Sequence, residues 1–172
     1  MLGEWTQSYK YTQLTPAIAE LSKVLLGDKT SVSDRFLAIR QWLNGWVFDE
    51  RKQPINKPAN LLESRLISAQ AIYDSHMSSC GAMVTLGATI LRASGVAVKL
   101  IDGAHPKSTN HAWMELYDTD KVGWAAYDVT GYGNPDTGQI DDAYTKHAEC
   151  HDWSEIEPAL QAKYQQWRAE NT

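Results

Sequence analysis

The chain has 172 residues, with 16 Lys and Arg against 21 Asp and Glu for a formal net charge of −5, and 43% of its residues are apolar. That is enough for one buried core, and it excludes both a disordered polyelectrolyte and a basic nucleic-acid-binding face. No repeat period, low-complexity tract or polar linker interrupts it, so a single domain over residues 1–172 is expected.

No apolar run approaches the roughly 18 residues of a membrane span. The opening Met1-Leu2-Gly3-Glu4-Trp5-Thr6 has no basic stretch leading into a hydrophobic one. The expectation is a soluble, cytoplasmic chain with no membrane partner, although an exported protein already trimmed of a leader fits the same residues. Two cysteines, Cys80 and Cys150, can form at most one bridge, too few for a disulfide framework, so both are read as free thiols.

The first third reads helical. Thr15-Pro16 predicts a cap and a proline at the first helical position, with Ile18, Leu21, Val24 and Leu25 on one face and Gly27 as the stop. A second helix is predicted from Ser33 through Phe36, Leu37, Ile39 and Leu43 toward Gly45. Pro54 and Pro58 mark a loop between Asp49 and Asn60, and Asn60 is read as the cap of a third helix running from Leu61 to about Ala71. Ser79 then caps a buried central helix that begins at Cys80, carries Ala82, Met83, Leu86, Ile90 and Leu91, and ends near Ser94-Gly95.

Beyond Gly95 the period shortens. Val96 to Ile101, Trp113 to Tyr117 and Trp124 to Asp128 read as antiparallel strands, joined by turns at Asp102-Gly103 and at Asp118 to Gly123. From Ser154 a capping-box pattern, Ser154-x-x-Glu157, predicts a last amphipathic helix through Leu160, Tyr164 and Trp167.

Cys80 at a helix start is the chemically informative position, because unpaired backbone N–H groups and the helix dipole favour an anion there. A nucleophile needs a base, and the base needs an orienting group. His111 opens a strand-like segment and Asp128 closes the next one. A hairpin turn between them brings the two side by side, in a register whose midpoint falls between Thr119 and Asp120.

Ser79-Cys80-Gly81, Leu91-Arg92-Ala93-Ser94-Gly95-Val96, Asn110-His111-Ala112-Trp113 and Gly123-Trp124-Ala125-Ala126-Tyr127-Asp128-Val129-Thr130 together resemble the core of the transglutaminase-like superfamily, from Arg35 to Gly131. The resemblance implies an α+β fold with a papain-like core, in which N-terminal helices and a central Cys-bearing helix pack on an antiparallel sheet. It also implies that Cys80 is the nucleophile, His111 the general acid/base and Asp128 the orienting carboxylate. The implied reaction is acyl transfer or amide hydrolysis on a protein or peptide substrate, of transglutaminase, deamidase or protease type, through a thioester and with no cofactor. Ser78 stands where the family often has glycine two residues before the cysteine, and Val129 where it usually has proline.

Trp42, Trp46, Trp113 and Ser79 are further candidates for substrate binding or oxyanion stabilisation. For Trp42 and Trp46 helix packing is the simpler explanation, and for Ser79 helix capping is. Three other readings compete. One is a non-catalytic scaffold of the same fold. Another is a zinc hydrolase using His147, Cys150 and His151, which would share a face if that segment were a helix. The third is an arylamine acetyltransferase, which uses Cys, His and Asp in the same order but is expected to need a longer chain for its cofactor cleft.

Overall fold

Helices come first and strands second in the computed structural model, which describes residues 1–47 and 65–170, the side chains of Trp46 and Val47 excepted. Helix α1 (Pro16–Leu26) starts as the sequence dictates: the Thr15 hydroxyl accepts from the Ile18 N–H at 3.3 Å, and proline occupies the position whose N–H has no partner in any helix. Helix α2 (Val32–Val47) buries Phe36, Ile39 and Leu43 completely, a stripe at helical spacing that faces the core.

The third predicted helix is corrected. Its expected start and the Pro54–Pro58 loop lie outside the described residues, and the chain leaves the helical path at Leu66–Ser68. Helix α3 then spans Ala69–Ser75, with the Ser68 hydroxyl accepting from Ala71 N–H. Ser68 competes for that backbone amide, which is why a boundary falls inside an otherwise apolar stretch.

Helix α4 (Cys80–Ala93) is the centre of the molecule, buried on all sides from Gly81 through Arg92. Its all-round apolar character follows from its position: α1, α2 and α3 cover one side, β1 and β2 the other. Thr85 and Thr89 satisfy their hydroxyls inside the helix, each donating at 2.8 Å to the carbonyl four residues back. Arg92, near its C-terminal end, donates to Trp5 O, Val98 O, His151 O and the Thr12 hydroxyl. Burial pulls its pKa down to about 10.

Strands β1 (Val98–His105), β2 (Ser108–Asp118), β3 (Gly123–Tyr127) and β4 (Thr145–Cys150) form one antiparallel sheet in the order β3-β2-β1-β4. The expected turn at Asp102-Gly103 is instead the interior of β1, and the chain reverses at Pro106-Lys107. Gly103 serves close packing: a Cβ there would lie 2.3 Å from the Trp113 ring and 2.2 Å from Thr145 O, and the β1/β4 register shifts at this point.

The β2/β3 register is also corrected. Met114 opposes Tyr127 and Asp118 opposes Gly123, so the turn centre lies one residue further along than expected. The Asp118 carboxylate fixes that turn by accepting from the Asp120 and Lys121 N–H groups. Continued past β3, this register sets Asp128 beside Trp113 rather than His111, so Asp128 reaches His111 on the diagonal.

The tail starts one step earlier than the capping box implies. Asp152, completely buried, accepts from Ser154 N–H and opens a short 3-10 turn (Trp153–Ile156) before helix α5 (Glu157–Glu170). The same carboxylate accepts from the Tyr11 and Thr12 N–H groups and clamps the N-terminal segment to this turn. Among the described residues no helix is long and apolar enough to cross a membrane.

Candidate active site

Ser79 caps α4 through its hydroxyl, which accepts from Ala82 N–H at 3.3 Å. That fixes Cys80 as the first helical residue, part-exposed at the positive end of the helix. Burial pushes its thiol up, but three influences outweigh it and hold the group below the ordinary thiol value. These are a hydrogen bond with the His111 ring, the charges of Arg65 and His111, and a bond from the Ala112 N–H. Cys150 behaves oppositely: it is buried with its sulfur toward Leu100 O, and burial drives its thiol far up.

His111 lies on β2, buried, with Nε2 2.6 Å from Asp128 Oδ2. Because Nε2 is taken, Nδ1 is the nitrogen left for the Cys80 sulfur. Burial pulls the imidazole down, but Asp128 and Cys80 together push it up to about 9. Thiol down and imidazole up means that each group favours the charged form of the other, thiolate beside imidazolium.

Asp128, just past β3, has no exposed surface and four donors. Oδ2 accepts from His111 and from the Tyr144 hydroxyl at 2.6 Å, while Oδ1 accepts from the Thr130 N–H at 2.8 Å and hydroxyl at 2.7 Å. Burial raises this carboxyl, but the His111, Tyr144 and Thr130 interactions hold it below the usual range. The loop behind it hangs on α2: buried Arg40 donates to the carbonyls of Thr130, Gly133, Asn134 and Pro135. Gly138, at φ 73°, closes the loop by donating to Asn134 O and accepting from Asp128 N–H.

The structure thus brings Cys80, His111 and Asp128 together. Trp113 stands beside them, buried, with its ring 6.1 Å from His111 and edge-on to Tyr144. Ser79 is a cap. Trp42 packs half-buried on the core with its ring 6.1 Å from Tyr73, while Trp46 lies in α2 with its side chain outside the described residues.

The His147–Cys150–His151 cluster is not a metal face. Its segment is strand β4, whose alternation exposes His147 and buries Cys150 on the opposite side, and His151 stacks on Trp5 at 3.7 Å. Among the described residues no three His, Cys, Asp or Glu groups are placed to hold a metal.

Sequence reasoning missed Tyr144, Thr130, Arg40 and Arg65. Only Thr130 carries a local signal, its spacing two residues after Asp128 being that of an Asx turn.

Residues 19–129 match the family model described as "Transglutaminase-like superfamily". Among solved structures, one named "Putative Cysteine Protease from Cytophaga hutchinsonii" aligns with a TM-score of 0.66 and 19% identity. The alignment covers 88% of this chain and 47% of that one, so this chain spans about half its length. A second, named as a TGase, aligns at TM-score 0.46 and 18% identity over 75% of this chain and 34% of that one. No curated protein matches.

Proposed function

We propose that this chain, which belongs to the transglutaminase-like superfamily, is a cysteine-dependent enzyme of acyl transfer or amide hydrolysis acting on protein or peptide substrates. The observation that carries the reading is the connected row Cys80–His111–Asp128, with Nε2 bound at 2.6 Å so that Nδ1 serves the sulfur.

In the first half-reaction the Cys80 thiolate attacks an amide carbonyl carbon. The electron pair moves to oxygen, where the N-terminal end of α4 offers stabilisation. Ser79 already occupies the Ala82 and Met83 amides, which leaves the Cys80 and Gly81 N–H groups as donors. Collapse breaks the C–N bond, His111 gives its Nδ1 proton to the leaving amine or ammonia, and a thioester remains. In the second half, water or an amine gives a proton to the now neutral His111 as it attacks, and Cys80 leaves as thiolate. Asp128 keeps the ring in the one tautomer and orientation that serve both steps. No cofactor enters.

The test is mass spectrometry of glutamine-containing proteins and peptides after incubation with wild type and with Cys80→Ala. A gain of about 1 Da reads as deamidation, a loss of about 17 Da on joining an amine as transamidation, and fragments as proteolysis. Full turnover in Cys80→Ala overturns the proposal. Absence of all three products, with Cys80 no more reactive to an electrophile than Cys150, returns the chain to a non-catalytic scaffold.

A further inference from the structure

Three charges from three distant segments meet at one carboxylate: Arg65 before α3, Asp102 on β1 and Lys163 on α5. Arg65 is 2% exposed, and its Nη1 donates to Asp102 Oδ1. Lys163 Nζ donates to the other oxygen, Oδ2, at 2.6 Å. One carboxylate is therefore shared by two cations, and among the described residues one positive charge has no second carboxylate beside it.

The arrangement is not the one that stability alone would favour. A buried guanidinium is best satisfied by a carboxylate gripping it with both oxygens. Here Lys163 has claimed one of those oxygens, and Arg65 Nε and Nη2 are buried with no hydrogen-bond partner among the described residues. Buried donors left open in a native fold require an explanation.

Position supplies it. Asp102 stands opposite Ala112 in the β1/β2 register, and Ala112 is the residue whose N–H meets the Cys80 sulfur. The guanidinium lies 4.9 Å over the Trp153 ring, whose Nε1 donates to Thr85 of α4, the helix that carries Cys80.

We infer that Arg65 is a positioning residue for Cys80, a fixed positive charge that holds the sulfur as an anion, and that Lys163 sustains it by keeping Asp102 from neutralising it fully. This rests on Cys80 being the nucleophile of the proposed reaction. Cys80 is faced by His111 from β2 and by Arg65, with Asp128 acting through His111. Arg65 is faced by Asp102, Lys163 and Cys150. Cys150 is itself flanked by Asp152, Glu155 and Arg92, and it stays a neutral thiol.

Lys163 is the group to perturb, because its side chain is one-third exposed and its replacement leaves the core intact. In the full-length protein, the rate of Cys80 alkylation by iodoacetamide is followed against pH by peptide mass spectrometry, with thermal unfolding as the check on folding. Lys163→Gln keeps an N–H for Asp102 without the charge, Lys163→Met removes both, and Lys163→Arg restores the charge.

The pH midpoint is expected to rise in Gln and Met, cutting alkylation on the acidic limb by about threefold to tenfold. In Arg it is expected to return to wild type. An unchanged midpoint in Lys163→Gln beside a low wild-type midpoint overturns the role of Arg65 and Lys163 and leaves the nucleophile standing. A shift in Met alone assigns the effect to the lost hydrogen bond rather than to the charge and overturns it too. A wild-type Cys80 that titrates as an ordinary thiol refutes the nucleophile reading itself, and this inference with it.

Discussion

Asp128→Asn is the sharpest perturbation of the site, because it changes one oxygen to nitrogen and almost no volume. The amide oxygen can keep accepting from the Thr130 N–H and hydroxyl, which hold Oδ1 at 2.8 and 2.7 Å. The NH2 group then stands where Oδ2 accepted from both His111 and Tyr144. Tyr144 can rotate its hydroxyl and become the acceptor. His111 has one escape, which is to move its proton to Nδ1 so that Nε2 accepts, and a ring protonated at Nδ1 cannot take a proton from Cys80.

The charge is lost as well. Holding the imidazole at about 9 instead of 6.5 corresponds to about 3 kcal/mol in favour of the imidazolium, shared between Asp128 and Cys80. Without Asp128 the burial of His111 wins, the ring becomes neutral and the thiolate loses its partner. Turnover should fall by about 10³ to 10⁴-fold, the scale on which a wrong tautomer acts. Folding should weaken by only about 1–3 kcal/mol, since all but the charge is preserved. The assay is kcat/KM on any substrate found above, paired with nitrogen NMR of the His111 ring. Turnover within tenfold of wild type, or a ring still protonated at Nε2 and bound to residue 128, refutes the reasoning.

Turnover should rise with pH as Cys80 ionises, hold a plateau, and fall above about pH 9 as His111 loses the proton it must donate. Alkylation of Cys80 needs only the thiolate and should not fall there, so a parallel decline of both rates counts against the assignment of His111. Arg40→Met keeps the aliphatic stem but frees four carbonyls of the loop behind Asp128. It should cost about 2–4 kcal/mol in denaturant unfolding and speed amide exchange over residues 128–138, and exchange unchanged there would refute the strut. Gly103→Ala sets a methyl against the Trp113 ring and Thr145 O. A loss of about 1–3 kcal/mol in thermal unfolding is expected, with slower reaction at Cys80 as Trp113 is driven toward His111; a variant as stable as wild type would show that the strands move apart freely.

What the sequence disclosed is what local rules encode. Ser79 before an all-apolar stretch announces both the start and the burial of the Cys80 helix, and a two-residue period announces the strands bearing His111 and Asp128. The order of cysteine, histidine and aspartate was legible for that reason. The register between His111 and Asp128 was off because the turn is set by Asp118 and its two amide donors, an interaction no period reveals. The error was two residues along the pair, so both side chains stayed on the expected face and the diagonal contact survived. Gly103 reads as a turn in sequence, whereas it answers to a tryptophan ten residues away. β4 looked like a helix face because His147, Cys150 and His151 fit three-and-four spacing, although two-residue alternation fits the buried Cys150 equally well. Tyr144, Arg40 and the Arg65–Asp102–Lys163 group are long-range, and a sequence carries no mark of which distant carbonyl or carboxylate an arginine will find.

Arg92 and Asp152 have a practical consequence for handling the molecule. Each is a buried charge satisfied in part by the segment from Trp5 to Thr12. Clipping the chain after Thr12 would strip both of those partners in one cut, near the end of the central helix farthest from the sulfur. An amino-terminal nick is therefore a way to loosen the Cys80 helix without touching Cys80, His111 or Asp128, and protease preparations that remove this strap should lose the proposed activity together with compactness.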